Sequence, residues 1–148
     1  MVAETQLAEM IARYSPDVAA LGTAAIALLR AELPNAFALV YDNYNALAVG
    51  FSPSEKSSDG IFSIALYPRW VSLFFLQGAG LADPSGLLKG SGSTVRHIVL
   101  GGIGDFERAD VRALMDAALV STKRPLEPGA EGRLIIKSIS AKQRPRRP

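Results

Sequence analysis

Three observations predict an α+β fold. An apolar stripe recurs at helical spacing from Val18 to Leu29, the pattern switches to a period of two from Ala36 onward, and a second helical stripe runs from Val111 to Leu119. The order helix, four to five mostly antiparallel strands, helix makes a two-layer sandwich with both helices packed on one sheet face. The other sheet face carries smaller side chains and is expected to stay partly open.

The elements follow in order. Leu7, Met10 and Ile11 predict a short helical turn within 4–14. Ser15-Pro16-Asp17 then reads as a helix start, with a capping hydroxyl, proline at the first helical position and an acid at the positive end of the dipole. Val18, Leu21, Ala25, Leu28 and Leu29 give this helix a buried face, and Pro34 ends it by pushing Leu33 out of helical geometry. Residues 36–42 and 46–51 read as a hairpin about Asn43-Tyr44-Asn45. Leu47, Val49 and Phe51 lie on one side of its second strand, with Ala48 and Gly50 on the other. Residues 59–67 and 70–76 form the next pair, joined at Pro68-Arg69, and 95–100 a fifth strand. Asp105 is placed to cap a helix running to Val120 or Ser121, built on Val111, Leu114, Met115, Ala118 and Leu119. Leu134-Ile135-Ile136 either adds a short strand or packs the tail down. The body is therefore 15–122 after the turn at 4–14, and 123–148 is a linker and basic tail whose end has nothing to bury and is expected to be mobile.

Composition narrows the chemistry. The chain has no cysteine, which removes thiolate metal sites, disulfides and cysteine catalysis and fits a cytoplasmic location. The N-terminus has no signal-peptide pattern, and the longest apolar run, Val18 to Leu29, falls short of the roughly 20 residues of a membrane span. The net charge of +2 is misleading, because Lys137, Lys142, Arg144, Arg146 and Arg147 all lie near the end and the rest is slightly acidic. Binding to nucleic acid is therefore not expected outside the basic tail 142–147, which reads first as a solvated end, and no membrane contact is expected.

The stretch Trp70 to Leu100 holds the candidate site. Lys89-Gly90-Ser91-Gly92-Ser93-Thr94 offers backbone N–H groups and a cation to an anion, without the order of a Walker loop. Arg96 follows with a fork suited to carboxylate or phosphate. His97 reads first as a packed residue between Val95 and Val99, and second as a ligand contact. Lys89, Ser91, Ser93, Arg96 and His97 are the expected contacts, with Trp70 as an apolar wall. Asp83 is positioned to pair with Lys89 or Arg96. No nucleophile and orienting partner accompany the single histidine, so no enzyme is predicted.

Trp70, Phe74-Phe75, Gly78-Ala79, Leu81, Asp83-Pro84, Gly86-Leu87-Leu88, Gly90, Gly92 and Val95-Arg96-His97 follow one pattern. Through it the chain resembles the YdhG-like domain family over about residues 15 to 121. The resemblance implies a small bacterial protein with a frataxin-like fold and, in one branch of the family, an iron chaperone. A frataxin-like iron surface needs clustered carboxylates. Here the first long helix has only Asp17 and Glu32, at opposite ends, and Asp42, Glu55 and Asp59 are scattered over turns. No other cofactor is implied. Two functions follow as expectations: a module holding a small anionic ligand or metal complex at loop 78–97 and the open sheet face, or a homodimer or protein-partner module using that face.

Overall fold

The computed structural model describes residues 2–148. It is an α+β fold of three helices and a six-stranded mixed sheet. The helices are α1 (Val2–Ala12), α2 (Pro16–Glu32) and α3 (Ala109–Ser121). The strands are β1 (Phe37–Asp42), β2 (Leu47–Ser52), β3 (Phe62–Leu66), β4 (Val71–Phe75), β5 (Arg96–Val99) and β6 (Leu134–Ile139). Strand order is β5-β4-β3-β2-β1-β6, antiparallel throughout except that β6 lies parallel to β1.

Alternation along the strands sorts the core from the opposite face. Val40, Leu47, Val49, Phe51, Phe62, Ile64, Leu66, Val71, Leu73 and Phe75 join Leu7 and Ile11 of α1, Val18, Ala25 and Leu29 of α2, and Val111, Leu114 and Met115 of α3 in one buried cluster. Phe62 and Phe75, directly paired across β3 and β4, meet edge to face with centroids 5.6 Å apart. Helix α2 approaches β3 closely at Gly22, where a Cβ would come within 2.6 Å of the Leu66 side chain. That contact, not chain flexibility, is why glycine stands mid-helix despite its poor helix propensity.

Two caps differ from expectation. Ser15 does sit at the N-cap of α2, in extended geometry, but its side chain makes no cap hydrogen bond. Asp105 precedes α3 in a 3-10 turn (Ile103–Glu107) and accepts the Gly101 N–H at 2.7 Å instead of capping the helix. Arg108 holds the N-cap position, and its side chain pairs with Asp110 in the first turn.

The larger difference is at the C-terminal end. Four or five strands were expected, and there are six. The free edge of β1 accepts β6 as a partner, which satisfies backbone groups that would otherwise face solvent. Leu134 and Ile136 pack against the core, and the register slips between Val40 and Tyr41 so that Lys137 is passed over. Gly132 lies just before the strand and donates its N–H to the Pro34 carbonyl at 2.9 Å; a Cβ there would collide with the carbonyl oxygens of Ala36 and Pro34. The stretch expected to be a mobile tail is held in place. Ser140 N–H donates to the Asp42 carbonyl, Arg144 N–H to the Tyr44 carbonyl, and the Arg146 side chain is buried on Asp42. Among the described residues no helix is long and apolar enough to cross a membrane.

Candidate functional site

The loop residues do not converge. Lys89 and His97 exchange backbone hydrogen bonds in an antiparallel bridge, at 2.8 and 2.9 Å, which puts their side chains on one face. Arg96 is next to His97 on β5 and therefore faces the other way, on the side of buried Ile98. Its guanidinium donates to the carbonyls of Gly92 (2.6 Å) and Val95 (2.8 Å), so it ties its own loop together. Asp83 pairs with neither Lys89 nor Arg96; it accepts the N–H groups of Leu87 (3.0 Å) and Leu88 (2.9 Å). Ser91 and Ser93 are exposed. Trp70 lies at the opposite end of β4 from Phe75, the residue Arg96 pairs with. The anion loop and the aromatic wall thus belong to different ends of the sheet.

The face turned away from the helices has a simple composition. One row across the strands reads Lys89, His97, Phe74, Ser63, Gly50, Leu39, Ile135, and the next reads Val99, Ser72, Ala65, Ala48, Tyr41, Ser138. Neither row contains a carboxylate. Phe74 and His97 stack obliquely with centroids 5.2 Å apart. The Tyr41 hydroxyl is buried without a hydrogen-bond partner. The small residues make a shallow depression of about 500 Å³, floored by Ala46, Ala48, Ser63 and Ala65 and walled by Tyr44, Tyr67 and Phe74.

Beyond Tyr67 this depression adjoins another of about 590 Å³, and both are lined by Asn45 and Tyr67. The tight turn Pro68-Arg69 is closed by the Tyr67 N–H donating to the Trp70 carbonyl at 2.9 Å, so both rings fall on the open face. There they stack, with centroids 4.8 Å apart and planes 19° from parallel, and Trp70 stays 42% exposed. Burial pushes the Tyr67 phenol above its ordinary ionisation range, so it is uncharged at neutral pH.

Arg69 from the turn and Arg144 and Arg147 from the C-terminal segment line the same hollow. Arg144 lies over the Tyr44 ring at 5.9 Å. Arg147 donates to the carbonyls of Arg13 (3.0 Å) and Ala12 (3.3 Å) at the negative end of α1. Among the described residues, no carboxylate lies within ion-pair distance of any of these three guanidiniums. The arrangement offers flat rings and unneutralised positive charge together. Sequence reasoning named Trp70 and put Arg144 and Arg147 in the basic tail, but did not join them with Tyr67 and Arg69 into one site. The hairpin signal at Pro68-Arg69 was enough to pair Tyr67 with Trp70; nothing local joined them to residues some 75 positions later.

Two other places offer less. A depression of about 650 Å³ between α1 and α2 is lined largely by alanines, and its charged groups, Glu4 and Arg30, are paired with each other at 2.8 Å. Among the described residues no three His, Asp or Glu side chains gather as a metal site.

No protein-family model matches the chain, and no curated protein or solved structure matches it.

Proposed function

We propose that this is a non-enzymatic binding protein that holds an anionic ligand carrying a flat ring, of the nucleotide class, at the Tyr67–Trp70 end of the open sheet face. The observation that carries the reading is the stacked Tyr67–Trp70 pair beside Arg69, Arg144 and Arg147, none of them neutralised by a carboxylate. Stacking favours the ring and the guanidiniums favour the phosphate. The binding hypothesis raised by the sequence is kept, with its centre moved from Lys89–Arg96 to the other end of β4.

The YdhG-like kinship, the two-layer frataxin-like description, a bacterial source and a cytoplasmic location belong to the same proposal. What supports the kinship and the frataxin-like description is the order α2, β1 to β5, α3 and the pattern between Trp70 and His97; the bacterial source rests on that kinship, and the cysteine-free composition fits the cytoplasm. The iron-chaperone alternative has no carboxylate cluster behind it among the described residues. Homodimerisation through the open face is the second reading, favoured by exposed Val95 and Val99 along the edge of the sheet at β5.

Calorimetric titration with adenosine monophosphate, adenosine and inorganic phosphate tests the proposal. The nucleotide is expected to bind more tightly than either half, and Arg144→Ala to weaken it. Equal or absent binding of all three would refute it, and a concentration-dependent dimer by light scattering would favour the second reading.

A further inference from the structure

Resting on that reading, we propose that the occupant is a single-stranded nucleic acid, laid along the open sheet face from the Trp70 end to Lys89. The two hollows meet at Asn45 and Tyr67 and so form a continuous track rather than a pocket for one nucleotide. Trp70, immediately before β4, and Phe74 within it share the open face four residues apart, a separation of about 13 Å in extended chain. A second ring pair, Phe74 with His97, therefore repeats at the far end what Tyr67 and Trp70 provide at the near end.

Charge follows the same track. Arg69, Arg144 and Arg147 stand at one end, Lys89 stands beside His97 at the other, and the two rows between them contain no acid. Between the rings the floor is low, made by Ala48, Ala65 and Ser63, so a sugar–phosphate chain can pass without a steric wall. Rings that accept bases by stacking need those bases unpaired, which favours a single strand over a duplex. A small carboxylate or free phosphate would use the cations and leave both ring pairs idle.

The sole tryptophan gives the readout. Quenching of Trp70 fluorescence is titrated with uridine monophosphate, uridine oligomers of increasing length, the matching thymidine oligomers, and a duplex of the same length as the longest oligomer. The affinity of at least one polymer series is expected to rise about tenfold from the mononucleotide to the short oligomer, because a second stacked base adds its own contribution. It is also expected to fall steeply with salt, and the duplex to bind more weakly. In Phe74→Ala and Lys89→Ala the ratio of oligomer to mononucleotide affinity is expected to fall; Lys89 is exposed, so its variant tests the track without disturbing the core. Mononucleotide binding without any gain for either oligomer series would overturn the single-strand proposal and leave the nucleotide reading standing. Duplex binding as tight as the single strand would also overturn it. If neither mononucleotide nor oligomer quenched Trp70, both would fall.

Discussion

Arg146 donates a 2.8 Å hydrogen bond from Nη2 to Oδ1 of Asp42, and both side chains are nearly sealed from solvent, at 2% and 4% exposure. The same guanidinium donates to the carbonyls of Asn43 and Tyr44 and lies 5.7 Å over the Tyr14 ring. Asp42 pairs with Leu47 and alternates with Val40, so it points to the core side, where an unpaired carboxylate would be costly. Arg146 supplies the close, buried cation, and the more exposed Arg13 lies 3.8 Å from the other carboxylate oxygen. The pair also holds the C-terminal segment against the β1–β2 turn, which brings Arg144 and Arg147 to Trp70.

Removing one partner leaves the other charge buried. Arg146→Ala is expected to cost about 3 kcal/mol or more in urea unfolding, and Arg146→Lys to recover only part of it, because lysine lacks the planar fork. A loss below about 0.5 kcal/mol, the range of an ordinary surface change, would mean that the pair does not anchor the segment.

Gly22 is occupied as tightly. Gly22→Val is expected to destabilise by about 1–3 kcal/mol, since the Leu66 side chain it meets is itself fully buried. Thermal unfolding checks this, and an unchanged melting temperature would place α2 farther from β3 than described.

Acid sensitivity has a definite sign at the α1–α2 contact. The hydrogen bond from Arg30 is the main reason that Glu4 ionises below its ordinary 4.5; burial opposes it, and the charge of Arg30 adds to the lowering. A carboxyl with a lowered folded pKa contributes stability that is present above the unfolded value and lost as pH falls through the folded one. Stability should therefore drop below about pH 4.5, and Glu4→Gln should flatten part of that slope. The pair is solvent-facing, so the effect should stay under about 1 kcal/mol.

Much of the fold was legible because the long periodic segments spoke for themselves. The alternation at Leu47, Val49 and Phe51 and the stripe at Val111, Leu114 and Met115 identify strand and helix without tertiary context. The alternation also put Arg96 with Ile98 and apart from His97, as the structure has it, so their use as joint contacts was already in tension. Asp42 was readable too, since strand parity puts it with Ala38 and Val40, and an acid on a core face calls for a cation. Which cation was not legible, because Arg146 is separated from it by more than a hundred positions. The β1–β6 pairing was hidden for the same reason: a six-residue strand with only partly buried side chains has too little pattern to announce its partner.

Variants separate the two ends of the sheet. Trp70→Ala is expected to weaken nucleotide binding about tenfold or more. Arg96→Ala should leave that affinity unchanged and instead loosen the 89–97 loop, read as faster amide exchange at Gly92 to Val95. The opposite pattern would return the site to the loop.

The most direct test of the account is a map of backbone amide shifts in the full chain titrated with adenosine monophosphate. The largest shifts are expected at Tyr67, Arg69, Trp70, Arg144 and Arg147, two segments far apart in sequence moving together. Shifts concentrated at Lys89 to Arg96 with residues 67–70 and 144–147 silent, or no saturable shifts at all, would contradict it.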